Sequence, residues 1–210
     1  NHAGGKFNFS GDGQVLKLEN IEAELDESKV TGQVELPVTD GIYRFALQVT
    51  DFNADQYMVV SSDGGKFYPL PAYDLYGLEA EGKVTLHNLN VSGVSANEVQ
   101  VTLNANKGRV ELAPFDLFFK EGRLLSKLVF APHSSGAGVN WKGRIDEFQL
   151  SQLSSKSLIE GVLNSRFDLN AKGIDWQQWL NQLQGTLQLN IEPAQLKGVD
   201  VNKMLSGELS

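Results

Sequence analysis

The feature that most constrains this chain is a period-two alternation of apolar and polar residues, restarting roughly every 8–12 residues at a glycine or Asp/Asn turn. Successive side chains of an extended strand point to opposite faces, so the pattern builds one-sided strands and leaves little room for helices between them. Phe7 and Phe9 open it; Leu16 and Leu18 keep one phase, and Ile21, Ala23 and Leu25 take the other, which predicts a bulge near Glu19-Asn20. Val30 to Leu36 and Tyr43 to Val49 follow, separated by the hairpin signal Asp40-Gly41. The strands resume at Gly82 and run, with turns at Ser92-Gly93, Lys107-Gly108, Lys120-Glu121-Gly122 and a small-residue loop at His133 to Gly138, as far as Ile191. The count is about twelve strands of a mainly β fold, an up-and-down antiparallel meander with one apolar and one polar face.

The alternation lapses between Asp51 and Glu81. Asn53 to Met58 has the composition of one helical turn, and Ser61 to Leu78 combines turn chemistry (Asp63-Gly64-Gly65, Pro69, Pro71) with four aromatics, Phe67, Tyr68, Tyr73 and Tyr76. A flexible linker would be poorer in aromatics, so this segment is expected to pack, with Tyr73 and Tyr76 either folding back or forming a partner surface. The reading is one β domain over residues 1–210, a fragment of a longer chain, with a sub-boundary at 59–81.

Gly161 to Ser206 reads as strand, helix, strand and short helix. Asp175 suits a helix N-cap, and behind it Trp176, Trp179, Leu180 and Leu183 recur at i, i+3, i+4 and i+7, one stripe of a three-turn amphipathic helix. Such a stripe must pack on the sheet, as a lid or end plug. The opposite helix face carries amides and one carboxylate rather than Lys or Arg, which favours core over membrane-interface anchoring for the indoles. Another short helical stretch is expected within Ser151 to Ile159.

Several functions are disfavoured. The chain has 210 residues and a net charge of −8, with its basic residues scattered singly, which argues against nucleic acid. Cysteine is absent, so there is no disulfide framework or thiolate metal site. His2, His87 and His133 stand alone, without metal-ligand spacing, and neither a nucleophile elbow nor a phosphate-binding glycine loop is present. These features predict a non-enzyme with no metal and no cofactor. No run of about 18 apolar residues occurs, and Asn1 to Gly5 reads as a cloning scar or an internal cut, so any anchor would lie outside this stretch.

Gly82 to Gly122, with Asn97-Glu98-Val99-Gln100-Val101, Lys107-Gly108, Leu112-Ala113-Pro114 and Lys120-Glu121-Gly122, resembles the carboxy-terminal region of the AsmA family of bacterial envelope proteins. Leu183-Gln184-Gly185-Thr186-Leu187 followed by Leu196-Lys197-Gly198-Val199-Asp200 is similar to that family's closing signature, and Tyr43 to Tyr57 to an earlier family segment, so that the likeness spans about three quarters of the chain. Glu121 stands before Gly122, where members often carry an aromatic or small residue, and Leu124-Leu125 after it, where they carry further glycines, which leaves the subfamily open.

The resemblance implies a periplasmic region of a Gram-negative protein tethered to the inner membrane, built as a long curved sheet (a repeating β-groove) with an apolar concave face. Larger relatives of the TamB and YhdP type are bridge-like lipid carriers, so the implied partners are phospholipid acyl chains, with outer-membrane assembly proteins as the alternative. The implied lining is Phe7, Phe9, Val34, Leu36, Tyr43, Phe45, Leu47, Val84, Leu86, Val99, Val101, Leu103, Val110, Leu112, Leu128, Phe130, Phe167, Leu169, Leu187 and Leu189, with Trp176, Trp179, Leu180 and Leu183 as the end plug. An apolar face this wide must be covered by another layer, by closure into a barrel or sandwich, or by a ligand.

Overall fold

A computed structural model describes residues 3–57, 59–60, 66–67, 77–133, 136–153, 159–173 and 176–196, with the side chains of 59–60, 66–67, 132–133, 136–137, 159, 176–177 and 194–196 excepted. Its strands are β1 (Ala3–Gly11), β2 (Val15–Leu25), β3 (Ser28–Pro37), β4 (Tyr43–Thr50), β5 (Val59–Val60), β6 (Lys66–Phe67), β7 (Ala80–Val91), β8 (Val94–Asn106), β9 (Arg109–Phe118), β10 (Arg123–His133), β11 (Gly136–Gln149), β12 (Ile159–Gly173) and β13 (Gln184–Leu196). One six-residue helix, α1 (Trp176–Asn181), lies between β12 and β13. Eleven strands form a single curved, unclosed sheet in the order β1-β2-β3-β4-β7-β8-β9-β10-β11-β12-β13, and β5 and β6 pair apart from it.

The meander is not antiparallel throughout. β4 and β7 run parallel, from Tyr43↔Ala80 to Thr50↔His87, and join two antiparallel meanders. Parallel neighbours need the chain to return to the end where it started, which takes a crossover of a dozen residues or more. Residues 51–79 are that crossover, which gives the lapse in alternation its physical meaning. Asp51 (φ 58°) and Asn88 (φ 57°) leave the extended region side by side where the two strands part, and Asn88 Nδ2 donates to Asp51 Oδ1 at 2.8 Å. Ala54–Tyr57 then forms the expected helical turn, a 3-10 turn whose start is held by Asp55 N–H donating to Asn53 Oδ1.

The phase change in β2 is a bulge, as expected. Pairing slips between Leu18 and Ile21 towards β3 and between Lys6 and Asn8 towards β1, with Asn20 left-handed at φ 51°. The extra residue returns Ile21 and Ala23 to the side that holds Leu16 and Leu18. At Lys107-Gly108 both residues have positive φ (48° and 81°), the two-residue hairpin whose twist matches its strands.

Two expectations need correction, and a third falls largely outside the described residues. The loop placed at His133 to Gly138 is largely strand, because Gly136, Ala137 and Gly138 continue the ladder opposite His133, Pro132 and Ala131, and a ladder needs only backbone groups. The helix expected within 151–159 appears as a 3-10 turn at Leu150–Gln152; residues 154–158 lie outside those described. The three-turn helix is shorter than two turns, since β13 resumes at Gln184. The side chains of Phe67, Tyr68, Tyr73 and Tyr76 and the final short helix also lie outside the described residues.

Candidate functional surface

The pleat and the register place the apolar residues on one side of the sheet. A single row crosses all eleven strands: Phe9, Leu18, Val34, Phe45, Gly82, Leu103, Leu112, Leu128, Trp141, Leu169 and Gly185, each paired with the next. Nearer the strand ends run Leu47, Val84 and Val101, then Leu86 beside Val99, and at the opposite end Ala80, Ala105, Val110 and Phe130. Phe7, Leu36, Phe167, Leu187 and Leu189 fall on the same side by alternation with their neighbours. The sequence-based lining thus shares one face.

Burial across this face is graded. In the middle strands Val99 and Ala80 are 2 % exposed and Val110 is 4 % exposed, whereas Phe9 on the first strand is 74 % exposed and Leu187 and Leu189 on the last are 57 % and 59 % exposed. The gradient arises because a residue on an interior strand is shielded by neighbours on both sides, and a residue on an edge strand by one.

Glycines seat the bulky side chains. A Cβ on Gly82 would stand 2.4 Å from the Phe45 ring, and one on Gly143 would stand 2.8 Å from Phe167 Cζ, so each ring lies across the bare backbone of the next strand. Phe167 also meets Trp141 edge-on, with centroids 4.9 Å apart. Phe115 and Leu117 belong to the face as well but escaped the sequence-based lining: β9 carries the cis Ala113–Pro114 bond, its register slips between Leu112 and Phe115, and alternation counted from Val110 puts both on the wrong side.

One end of the face is roofed. Trp179 is 5 % exposed, packs on Ala171, Phe130 and Val139, and donates its indole N–H to the Gly173 carbonyl at 3.1 Å. Leu78, at the end of the crossover, packs against the neighbouring cluster of Ala80, Ala105 and Val110. The remaining end-plug residues divide: Leu180 and Leu183 are about half exposed, and the side chain of Trp176 lies outside the described set. Six helical residues cannot carry a four-residue stripe onto one surface, and among the described side chains of the helix it is Trp179 that does the covering.

The other face is hydrophilic and laced by ion pairs between adjacent strands. Lys6–Glu22 and Lys17–Glu35 lie at 3.1 Å, Arg44–Glu81 at 3.5 Å, Arg123–Asp146 at 3.1 Å and Lys142–Asp168 at 2.8 Å. A hydrogen bond from Lys127 holds the Glu111 carboxyl below its usual range, and one from Lys142 does the same for Asp168. All are substantially exposed, so each pair adds little to stability; together they mark this face as the one suited to water.

Two polar atoms on the apolar face, Ser165 Oγ and Trp141 Nε1, are buried without a hydrogen-bond partner. An unsatisfied buried hydroxyl carries its desolvation penalty uncompensated. Ser165→Ala is therefore expected to be neutral or to stabilise the fold by up to about 1 kcal/mol. A denaturation midpoint below that of the parent would show that the hydroxyl is satisfied after all.

A family model for the AsmA family matches residues 75–209. The chain belongs to the AsmA family. No curated protein and no solved structure matches it. The AsmA match opens just ahead of β7 and takes in the second meander, so β1 to β4, and with them the likeness seen at Tyr43 to Tyr57, lie outside the matched segment.

Proposed function

We propose that this AsmA-family chain is a non-enzymatic module that shields lipid acyl chains against the apolar side of its sheet, which curves around them as a groove. In this reading it is periplasmic, tethered to the inner membrane in the full-length protein, and contributes to phospholipid transport between inner and outer membranes and so to outer-membrane homeostasis. The observation that carries it is the uninterrupted apolar row from Phe9 to Leu169 on an unclosed sheet whose other side is ion-paired. Acyl chains suit such a surface, since each buried CH₂ contributes roughly 0.8 kcal/mol without a specific polar partner. The rows run across the strands, so a chain lying along one meets apolar side chains throughout, and head groups stay wet at the rim.

The burial gradient selects the variants that test this. Phe9→Glu and Leu187→Glu change residues that are mostly exposed, so they are expected to leave the unfolding midpoint within about 0.5 kcal/mol of the parent. They should still lower uptake of a fluorescent phospholipid by the delipidated protein, and lower the lipid retained in native mass spectrometry. Unchanged uptake in both variants, or parent protein that takes up no lipid, would defeat the proposal. Val101→Glu is a poorer probe, because a charge on an interior strand unfolds the sheet whatever the face binds.

A second reading rests on the two edges. Among the described residues β1 and β13 each have one strand neighbour, and their outer backbone groups suit an added strand, the geometry of β-augmentation by an outer-membrane assembly partner. Site-specific crosslinking from Asn8 and Gln188 to a defined outer-membrane protein, with no lipid bound, would favour this reading over the first.

A further inference from the structure

The hydrophilic face holds a cluster that the lipid reading does not use. Arg144 on β11 and Arg166 on β12 are directly paired in the register, so two guanidiniums stand opposite each other. Like charges at opposed positions destabilise a sheet; the other like-signed opposition on this face, Lys127–Lys142, has a carboxylate partner for each lysine, Glu111 and Asp168. A single carboxylate offsets only part of the repulsion between the arginines. Asp146 Oδ2 accepts from Arg144 Nε and from Arg123 Nε, both at 3.1 Å, and Arg166 has no ion pair among the described residues. One carboxylate thus orients two guanidiniums through their Nε–H groups and leaves the Nη donors of both unused in these bonds.

These groups line a shallow depression of about 600 Å³ at the rim where β9 turns into β10, together with Glu147 and Asn164. The Asn164 side-chain oxygen accepts the Glu147 backbone N–H at 3.0 Å, which turns its amide into a spare donor. Three guanidiniums against the carboxylates of Asp146 and Glu147 leave a positive excess, in a chain whose net charge is −8. A planar carboxylate is satisfied by one guanidinium fork, whereas several forks around one depression suit the many oxygens of a phosphate group. We propose that the Arg123–Arg144–Arg166 cluster is a binding site for a phosphate-type oxyanion, carried by a lipid head group or by a soluble phosphate ester. The site lies on the opposite face from the acyl-chain surface and stands or falls independently of it.

The test follows the arginine Nε–H resonances of the 210-residue protein as inorganic phosphate is added, against sodium chloride at matched ionic strength. The expected result is a saturable shift of Arg144 and Arg166 with phosphate and not with chloride. Arg166→Gln should weaken it about five- to tenfold, and Arg166→Lys, which keeps the charge without the fork, by less. Relief of the Arg–Arg opposition should leave the melting temperature of Arg166→Gln equal to or above the parent's. Shifts that grow linearly, or equally with chloride, would overturn the proposal, as would a melting temperature several degrees lower in Arg166→Gln, which would make Arg166 a structural residue. Flotation with phosphatidylglycerol but not phosphatidylcholine vesicles, lost in Arg166→Gln, assigns the phosphate to a lipid; saturable phosphate binding without flotation assigns it to a soluble ester.

Discussion

Trp179→Ala is expected to lower the unfolding free energy by about 3–4 kcal/mol, the usual range for removing a buried indole. Trp179 is the only α1 side chain among the described residues that is fully buried, and it carries three things at once. It fills the space over Ala171 and Val139, stacks at 5.7 Å on Phe130 with a 31° tilt, and satisfies the Gly173 carbonyl. Alanine would leave a cavity lined by apolar side chains and an unpaired carbonyl, and α1 has no other described side chain buried to hold it down. In a chain of this length each kcal/mol is worth roughly 2–4 °C, so the melting temperature by circular dichroism should fall by roughly 6–15 °C. Trp179→Phe keeps the ring contact and loses the N–H donor, and should cost about 1–2 kcal/mol. Leu180→Ala, beside it but about half exposed, should cost under about 0.5 kcal/mol. Equal effects from Trp179→Ala and Leu180→Ala would show that α1 docks through its leucine side.

The second large effect is expected at the junction of the two meanders. With a Cβ at Gly82 only 2.4 Å from the Phe45 ring, valine there cannot coexist with that ring. Phe45 would have to leave the cluster it shares with Ala80, Leu78 and Leu103, and overpacking of this kind costs about 1–3 kcal/mol before the lost contacts are counted. Gly82→Val should therefore destabilise by about 3 kcal/mol, and Gly82→Val with Phe45→Ala by less than the sum of the two single changes, because the new side chain occupies the volume the ring vacates. Additivity in that double-mutant cycle would mean that the ring does not lie across Gly82. Because β4 and β7 are joined by one parallel ladder, this cluster and a few polar contacts such as Arg44–Glu81 and Asn88–Asp51, urea unfolding should also report whether the first meander detaches ahead of the second.

These effects explain how stability and surface are separated here. Large side chains in the middle strands are anchored by neighbours on both sides and tolerate little change, whereas Phe9, Leu187 and Leu189 at the flanks are nearly free of structural duty. Such a face can vary at its flanks without losing the sheet. The ion pairs opposite contribute solubility more than stability, and the Arg144–Arg166 opposition is a local cost because Arg166, unlike Lys127 and Lys142, has no ion pair among the described residues.

The face of each strand was legible because the pleat is a local property: residues two apart share a side wherever the chain is extended. The bulge near Asn20 was legible for the same reason, since a change of phase within one strand needs an extra residue. Where a local rule failed, another local constraint intervened. Phe115 follows Pro114 and sits past a register slip, so counting by twos from Val110 gives the wrong answer. Trp176, Trp179, Leu180 and Leu183 match a helical period, but period alone does not set where a helix stops, and β13 claims the backbone from Gln184 onward.

By itself, then, the amino-acid order determined a one-sided β-sheet, most of the residues of its apolar side, most of its turns and its principal bulge, because each follows from torsional and steric preferences within a few residues. Only the tertiary structure decided that β4 lies parallel to β7, that the sheet ends at β1 and β13 without closing, that Trp179 packs over one end, and that Arg144 faces Arg166. Those outcomes depend on which strands become neighbours, a choice made by packing and chain return between residues far apart in sequence.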